Sequence, residues 1–365
     1  MTRAIIRGFG VNEWRPDRGR TVRGHLVILM AAVGLACGQG ATPTAPTPTP
    51  TPGSPATTGD LKSSLSAAFD ALPIPSSGAC SISISQHGQV VFERGRGQIA
   101  PGREASADSL YRIASLTKPM TASAVLVSEQ AGRLSRTDKI NRFLAFPEPA
   151  PTIDELIKHI PGLPDYLATP AYQSGRTSPT TVDTLLSLIQ PWDGVRRHQY
   201  SNSHAVLSGA ALQQVNGLRY EDVVQRDIFG PAGMSRSSFA LPPPSESFSL
   251  GSATHPSWAY AAGGVTSTAP DVNRFNQALL SNAFGFGAVE SFDRSAGATS
   301  FGMGSAVSSG DLRFTHSGLI DGYGSYSVIF PADRSSVVVL CNFNSNGLSN
   351  FVIGIRNIMR GFSNT

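Results

Sequence analysis

The spacing of apolar residues predicts a helix at the start of the folded region, followed by a β-hairpin. The apolar positions of the helix recur every three or four residues: Leu61, Leu65, Phe69 and Leu72. Asp60 stands just before them and can cap the helix. Two runs that alternate polar and apolar residues then flank His87-Gly88, which predicts two antiparallel strands joined by a tight turn.

The other end of the chain shows strand patterns in three further segments. They are DLRFTHSG, GSYSVIFPAD and SSVVVLCNFN. Turn residues separate them at Asp321-Gly322 and at Asp333-Arg334, so all three segments are predicted strands. A last helix follows, with one apolar face formed by Leu348, Phe351, Val352, Ile355 and Met359.

The chain between these ends, about residues 115 to 285, has a largely helical pattern. It includes the segments TTVDTLLSLIQ, SHAVLSGAALQQVNG and YEDVVQRDIFG. Because predicted strands lie on both sides of this stretch, we expect an α+β fold. Its antiparallel sheet is built from both chain termini and flanked by helices, and a mostly helical subdomain is inserted in it.

Composition agrees with a large globular domain and argues against a nucleic-acid-binding protein. Of 365 residues, 40% are apolar, which suffices for one large domain or two intertwined subdomains. The net charge is only +4, and the basic residues concentrate before residue 25 without forming a run interleaved with aromatic residues. We therefore predict no nucleic-acid partner.

The N-terminal region, residues 1–37, resembles an export signal. Leu26–Ala36 is an apolar run of eleven residues, too short to span a bilayer but typical of the hydrophobic part of a signal peptide. Cys37 follows at once, and GLAC resembles the lipobox of bacterial lipoproteins, although Gly34 replaces the usual larger aliphatic residue. Cys37 is thus either a lipidation site or an ordinary residue of a cleaved signal.

Residues 38–59 are rich in Thr and Pro and predict an extended tether rather than a core. A folded domain is expected over residues 60–365. The expected location is outside the cytoplasm of a bacterial cell, as a periplasmic or surface lipoprotein or otherwise secreted, with the membrane contacted only through a lipid anchor.

The first candidate for chemistry is the pair Ser115 and Lys118. At this spacing the two side chains share one helix face, about one turn apart. A Ser hydroxyl is a weak nucleophile until a base or a nearby charge activates it, and Lys118 can act as that base or stabilise a second base. Pro119 fits the first turn of a helix beginning near Ser115.

Two more motifs accompany this pair in chain order. YSN occurs at Tyr200 to Asn202, and HSG occurs at His316 to Gly318, at the end of a predicted strand. With HIPGLPDY, FGPAGM and AAGGVTSTAPDVNRF, these motifs resemble the penicillin-recognising serine hydrolases. That group includes D-alanyl-D-alanine carboxypeptidases, class C β-lactamases and related esterases.

The resemblance implies a role for each motif residue. Ser115 would be acylated, and Tyr200 would be the general base, with its phenolate stabilised by Lys118. Asn202 would hydrogen-bond the acyl group. Another wall of the substrate site would be formed by His316, Ser317 and Gly318. The oxyanion hole would consist of the backbone N–H groups of Ser115 and Leu319.

The resemblance leaves several activities open. Many enzymes of this type have Lys where His316 stands, and a neutral histidine binds a substrate carboxylate more weakly. We expect a D-Ala-D-Ala carboxypeptidase or another peptidase acting on D-amino acids, with an esterase of weak or no β-lactamase activity as the alternative. A non-catalytic envelope binding module is the third hypothesis. The expected partners are a peptidoglycan stem peptide, a β-lactam or an ester.

The resemblance also suggests a pairing for the two remaining cysteines. In this fold the strands that carry Cys80 and Cys341 are antiparallel neighbours, so a disulfide is expected, with two buried free thiols as the alternative.

His159 is expected to brace a loop and His204 to be structural. The histidines show no metal-ligand spacing, so we predict no metal and no cofactor.

Overall fold

An antiparallel sheet built from both ends of the folded region organises the protein. The structure is a computed structural model that describes residues 58–244, 247, 254–287, 305–307, 312–345 and 347–363. The strands are β1 (Ala79–Gln86), β2 (Gln89–Ala100), β3 (Arg103–Glu104), β4 (Tyr111–Arg112), β5 (Thr266–Ser267), β6 (Ser305–Val307), β7 (Arg313–Ile320), β8 (Tyr323–Phe330) and β9 (Ser335–Cys341). Within these ranges the main sheet has the order β3-β2-β1-β9-β8-β7-β6, and β4 pairs with β5 separately.

The predicted strands and hairpin are confirmed. His87 and Gly88 join β1 to β2 with positive φ angles of 53° and 79°, as a tight turn requires. The strands β1 and β9 pair antiparallel, with Cys80 opposite Cys341. These two cysteines form a disulfide across that pair. The short strands β3 and β6, which no pattern predicted, lie at the two edges of the described sheet.

The helices come mostly from the chain between β4 and β6, as the sequence predicted. Their bounds are α1 (Thr58–Asp70), α2 (Thr117–Gln130), α3 (Ile153–Ile157), α4 (Pro170–Gly175), α5 (Val182–Leu188), α6 (Asn202–Asn216), α7 (Tyr220–Val224), α8 (Gly230–Ala232), α9 (Pro256–Gly263), α10 (Ala269–Leu280) and α11 (Leu348–Ser363). Asp60 lies inside the first turn of α1 instead of capping it, because that helix begins two residues earlier.

The sheet separates two hydrophobic cores. Alternate residues of β9 belong to different cores: Val337 and Val339 pack with α1 and α11, whereas Val338 and Leu340 pack with the inserted helices. Since both faces are covered, every residue of β1 and β9 is buried. The predicted α+β fold with an inserted helical subdomain is therefore confirmed.

The N-terminal predictions lie outside the described residues. They comprise the export signal of residues 1–37, the lipidation site Cys37 and all but the last two residues of the 38–59 linker. Within the described ranges, no helix has the length and apolar character needed to cross a bilayer.

Candidate active site

A tight turn between β4 and α2 holds Ser115. The turn is a single 3₁₀ segment, Ala114–Leu116, and Ala114 has a positive φ of 50°, which is unfavourable for a residue with a Cβ atom. It is fixed on two sides, because the Ile113 N–H donates to the Val265 carbonyl at 3.0 Å and the Ser325 hydroxyl donates to the Ile113 carbonyl at 2.9 Å. The surrounding strands thus hold the hydroxyl of Ser115 in place.

Lys118 lies in the first turn of α2, fully buried, and its Nζ contacts three oxygen atoms. These are Ser115 Oγ at 3.0 Å, Asn202 Oδ1 at 2.7 Å and the Ala262 carbonyl at 2.7 Å. Two of these oxygens, on Asn202 and Ala262, can only accept hydrogen bonds. A neutral amine has two N–H groups for these two acceptors, so its lone pair is left for the hydroxyl proton of Ser115. Neutral Lys118 is therefore positioned as a base for Ser115.

The environment of Lys118 favours this neutral form. Burial lowers its pKa to about 7, and the negative charge of Asp165 opposes that shift. A base with a pKa near the working pH is both deprotonated and strong enough to take a proton.

Tyr200 approaches Ser115 from the residue before the N-cap of α6. Its hydroxyl donates to Ser115 Oγ at 2.8 Å, and Lys118 Nζ lies 4.9 Å from the centre of its ring. Although 45% of the residue is exposed, burial of the hydroxyl raises the pKa of Tyr200 above its usual value. The phenol is thus protonated in the free protein, contrary to the expectation that Lys118 holds it as a phenolate.

Asn202 is oriented by the carboxylate of Asp165, which belongs to the HIPGLPDY segment. Asp165 Oδ2 accepts from the Asn202 backbone N–H at 3.1 Å and from Asn202 Nδ2 at 2.7 Å. Its Oδ1 accepts from the Leu167 N–H at 3.0 Å. This arrangement turns Asn202 Oδ1 toward Lys118 and leaves the second N–H of Nδ2 available. The sequence analysis missed this role, because Asp165 lies 37 positions before Asn202 and no local pattern links the two residues.

Strand β7 forms the opposite wall. The structure places His316, Ser317, Gly318 and Leu319 with Ser115 along one cleft. His316 Nδ1 lies 2.7 Å from the Ser317 carbonyl. Burial and the charge of Lys118 lower the pKa of His316 to about 3, so its imidazole is neutral at physiological pH.

The packing of the protein requires a glycine at position 318. A Cβ atom there would lie 2.5 Å from the Ile113 carbonyl and 2.3 Å from Ser325 Oγ. The absence of a side chain therefore lets β7 pack directly against the turn that carries Ser115. The sequence analysis had placed Gly318 only in a wall of the substrate site.

Ser115 lies where two clefts meet. The first, of about 380 Å³, is lined by Tyr166, Leu167 and Tyr172, and we call it the aromatic cleft. The second, of about 740 Å³, is lined by hydroxyl groups that include Ser317, Ser325, Tyr326, Ser345 and Ser349, and we call it the hydroxyl cleft. Ser115, Asn202 and Leu319 border both clefts. The two residues proposed for the oxyanion hole, Ser115 and Leu319, thus face a common space.

The comparisons with known proteins agree with this geometry. A family model described as Beta-lactamase matches residues 76–352. The chain belongs to the beta-lactamase family. The resemblance to penicillin-recognising serine hydrolases is therefore confirmed, and family membership places the chain among serine hydrolases.

Individual relatives resemble this family member to different extents. It is 30% identical over 165 residues to penicillin-binding protein 4* of Bacillus subtilis (strain 168), covering 42% of this chain but 36% of that protein. It is 24% identical over 284 residues to the putative penicillin-binding protein PbpX of the same organism, covering 72% of this chain and 70% of the relative. The solved structure of D-amino acid amidase from Ochrobactrum anthropi SV3 has a TM-score of 0.69 at 19% identity, covering 84% of this chain and 99% of that one.

The histidines near the site form a structural pair. His159 Nδ1 and His204 Nδ1 lie 2.7 Å apart, so one ring donates a hydrogen bond to the other. Burial holds the pKa of both rings below the usual value, most strongly for His159. The His159 ring also stacks on Tyr200, with 4.6 Å between ring centres. Within the described ranges, no group of three His, Cys, Asp or Glu side chains is arranged to hold a metal ion.

Proposed function

We propose that this protein is an exported serine hydrolase that cleaves peptide or amide bonds of D-amino acids through an acyl-enzyme on Ser115. Its closest functional description is a D-Ala-D-Ala carboxypeptidase or a similar D-amino-acid peptidase. The observation that carries the proposal is the shared contact of Lys118 Nζ and the Tyr200 hydroxyl with Ser115 Oγ, at 3.0 and 2.8 Å. Relatives that include penicillin-binding proteins support it.

Acylation follows from these contacts. Neutral Lys118 takes the proton of Ser115 as Oγ attacks the substrate carbonyl, and the negative charge that develops on the carbonyl oxygen is stabilised by the N–H groups of Ser115 and Leu319. The Tyr200 hydroxyl, already hydrogen-bonded to Ser115 Oγ, gives its proton to the leaving amine, which leaves a phenolate on Tyr200 beside the protonated Lys118. Ser115 is then acylated, and the leaving amine is free.

An amide in the acyl part of the substrate is supported by Asn202. It borders both clefts beside Ser115, and one N–H of its Nδ2 remains after the hydrogen bond to Asp165. A peptide carbonyl on the acyl side would accept that hydrogen bond, whereas a simple acetyl ester has no such group. This contact favours a peptide with an amide on its acyl side over a plain ester.

A second candidate, an esterase, is favoured by the neutral state of His316. A carboxypeptidase substrate carries a carboxylate on its leaving residue, and a neutral imidazole provides no charge to bind it. An ester with a neutral alcohol as leaving group has no such requirement.

A matched set of substrates tests the proposal. We expect a D-Ala-D-Ala peptide or D-phenylalanine amide to be hydrolysed with a higher kcat/KM than its L isomer and than p-nitrophenyl acetate. A cephalosporin tests for β-lactamase activity in the same assay. Faster turnover of the ester, without preference for the D isomer, replaces the peptidase with the esterase.

A non-catalytic role has a separate test. A fluorescent penicillin should label the wild-type protein covalently, and the Ser115→Ala variant should remain unlabelled. Absence of labelling, together with absence of turnover in the whole substrate set, would favour an envelope binding module.

Export and lipidation of Cys37 are part of the proposal and rest on the sequence alone. The apolar run of Leu26–Ala36 followed by Cys37 supports them. Mass spectrometry of the mature protein from membranes should find a lipid-modified N-terminal cysteine. In the Cys37→Ala variant, the protein should move to the soluble fraction; an unmodified, soluble wild-type protein contradicts lipidation.

A further inference from the structure

The position of Tyr200 distinguishes the two clefts that meet at Ser115. Tyr200 lines the hydroxyl cleft, and the described lining of the aromatic cleft does not include it. Its hydroxyl donates to Ser115 Oγ and, in the acylation proposed above, protonates the leaving amine. The leaving group must therefore lie in the hydroxyl cleft. The acyl part of the substrate, on the other side of the scissile bond, then lies in the aromatic cleft.

Aromatic rings fix one wall of the aromatic cleft. The Tyr172 ring meets the Tyr166 ring edge-to-face, with 5.9 Å between ring centres and 90° between ring planes. It meets the Trp258 ring in the same manner, at 5.7 Å and 77°. Tyr166 is itself held in place, because it is buried and its hydroxyl donates to the Trp258 carbonyl. The partly exposed Tyr172 ring is therefore a fixed aromatic surface in the lining of the cleft.

Most of the remaining lining is apolar or small. Leu167 and Ile320 add apolar side chains that pack against the hydrophobic core. Ala259, Ala262 and Gly263 of α9 contribute no side chain larger than a methyl group. The cleft therefore keeps about 380 Å³ of space beside apolar walls, which suits an aromatic group.

Asp321 also lines the aromatic cleft, but its carboxylate is already engaged within the protein. Its oxygens accept from Arg112 Nη1 at 2.7 Å and from Arg176 Nη1 at 2.9 Å. They also accept from the Thr254 N–H at 2.6 Å and from the Thr254 hydroxyl at 3.0 Å. A carboxylate has about four acceptor sites, so these contacts occupy them. Asp321 therefore gives a cationic substrate side chain no partner.

We propose that this protein prefers N-acylated D-amino acid residues with an aromatic side chain, and that Tyr172 determines this specificity. The proposal rests on the acyl-enzyme on Ser115 and the D-amino-acid substrate proposed above. The aromatic side chain of the acyl residue packs against Tyr172 in the aromatic cleft, and the carbonyl of its N-acyl group accepts from Asn202 Nδ2. The leaving residue lies in the hydroxyl cleft.

Three peptides with the same leaving residue measure the preference. They are N-acetyl-D-phenylalanyl-D-alanine, N-acetyl-D-alanyl-D-alanine and N-acetyl-D-lysyl-D-alanine. We expect kcat/KM for the phenylalanyl peptide to exceed that for the alanyl peptide at least about tenfold, because an apolar pocket discriminates by this factor or more between side chains of different size. The lysyl peptide should be no better than the alanyl peptide. Equal rates for the phenylalanyl and alanyl peptides, or a preference for the lysyl peptide, overturn the proposal.

The methyl esters of N-acetyl-D-phenylalanine and N-acetyl-D-alanine separate this specificity from the peptidase activity, because they carry the same acyl parts on a different leaving group. If the peptides are not cleaved but the phenylalanine ester is preferred about tenfold, the peptidase function fails and the aromatic specificity stands. If the peptides are cleaved without preference, the peptidase function stands and the specificity fails. Absence of turnover of all these substrates overturns both.

Two variants assign the preference to the aromatic cleft. Tyr172→Ala removes the ring and should lower kcat/KM for the phenylalanyl substrate about tenfold, with little change for the alanyl substrate. Asn344→Trp, at an exposed position of the same lining, should exclude the phenylalanyl substrate and spare the alanyl one, even if Tyr172→Ala does not fold.

Two control variants complete the test. Asn357→Trp makes the same substitution at an exposed position of α11 that lines neither cleft, and it should leave both rates unchanged. Tyr326→Ala removes a ring from the hydroxyl cleft and should lower both rates by the same factor, which keeps their ratio. A ratio that falls in Tyr326→Ala but not in Tyr172→Ala or Asn344→Trp would place the acyl side chain in the hydroxyl cleft and overturn the proposal.

Discussion

At the scale of single residues, the site depends on which groups hold protons. Lys118 is buried among two acceptors and one hydroxyl, and burial lowers its pKa to about 7. Burial raises the pKa of Tyr200, so its hydroxyl keeps its proton. The free protein therefore has an amine ready to accept a proton and a phenol ready to donate one.

The first prediction concerns the pH dependence of acylation. Because the active form of Lys118 is neutral, kcat/KM should reach a plateau about one pH unit above its pKa of about 7 and should fall about tenfold per pH unit below that pKa. The profile is measured with any substrate that the wild-type protein turns over. Lys118→Met should lower kcat/KM by about 10²–10⁴-fold and remove this acid limb. A wild-type profile that stays flat down to pH 5 contradicts the role of Lys118 as base.

The second prediction concerns Asp165, a positioning residue. Asp165→Asn replaces one accepting oxygen with an NH₂ group, which then faces a donor of Asn202 or the Leu167 N–H. We expect kcat/KM to fall about 10–100-fold, because Asn202 and Lys118 lose their alignment.

The pH profile separates this role from a merely structural one. The charge of Asp165 raises the pKa of Lys118, so its removal should move the acid limb of kcat/KM to lower pH. Asp183→Asn, at an exposed position in the first turn of α5, is the matched control and should leave the limb unchanged. An unshifted limb in Asp165→Asn would reject the electrostatic role.

At the scale of secondary-structure elements, the site depends on close contact between β7 and the Ser115 turn. Ser325 on β8 donates to the Ile113 carbonyl, and Gly318 on β7 packs against the same carbonyl. The wall of the cleft and the turn that carries Ser115 are thus held together by contacts to one backbone carbonyl. Any side chain at position 318 must separate them.

The third prediction tests this contact. Gly318→Ala puts a Cβ atom 2.5 Å from a backbone oxygen that cannot move easily, so we expect a loss of about 1–3 kcal/mol in the free energy of unfolding. Activity should fall about 100-fold as β7 moves away from Ser115. Denaturant unfolding and kcat/KM measure the two effects.

Gly354→Ala is the control for Gly318→Ala. Gly354 lies in α11, and a Cβ atom there would have no heavy atom within 4 Å. This variant should stabilise the protein by about 0.5–1 kcal/mol, because alanine favours a helix interior, and should not change kcat/KM. Equal effects of the two variants would show that the contact of Gly318 has no special role.

At the scale of the whole molecule, one sheet joins segments far apart in the chain. Strand β1 pairs with β9, and the disulfide between Cys80 and Cys341 crosses that pair at a separation of 261 residues. The inserted helices lie between these segments in the chain. The two ends of the folded region must therefore pair before the sheet is complete, and the disulfide links the paired strands covalently.

The fourth prediction is that the disulfide stabilises the fold mainly by restricting the unfolded chain. For a closed loop of 261 residues the entropy model gives roughly 5 kcal/mol. The double variant Cys80→Ala/Cys341→Ala should therefore unfold at clearly lower denaturant concentration than the oxidised wild-type protein. The wild-type protein in reducing buffer is the control and should show most of the same loss. Equal unfolding midpoints for oxidised and reduced protein would contradict this prediction.

The sequence by itself determined the elements and the candidate residues. Local spacing was enough for the β1–β2 hairpin, for β7, β8 and β9, and for the final helix, because hydrophobic periodicity is a property of neighbouring residues. The motifs of Ser115, Tyr200 and His316 were identified through family resemblance, which preserves their order along the chain. Strands β3 and β6 were missed because two or three residues carry no periodic signal.

Only the tertiary structure decided how these residues act. The protonation of Lys118 and Tyr200 depends on burial and on Asp165, neither of which any local pattern encodes. A glycine is needed at position 318 because the carbonyl of Ile113, 205 positions earlier in the chain, leaves no room for a side chain. Electrostatic and packing energies depend on distances in space, and folding brings together groups that lie far apart along the chain.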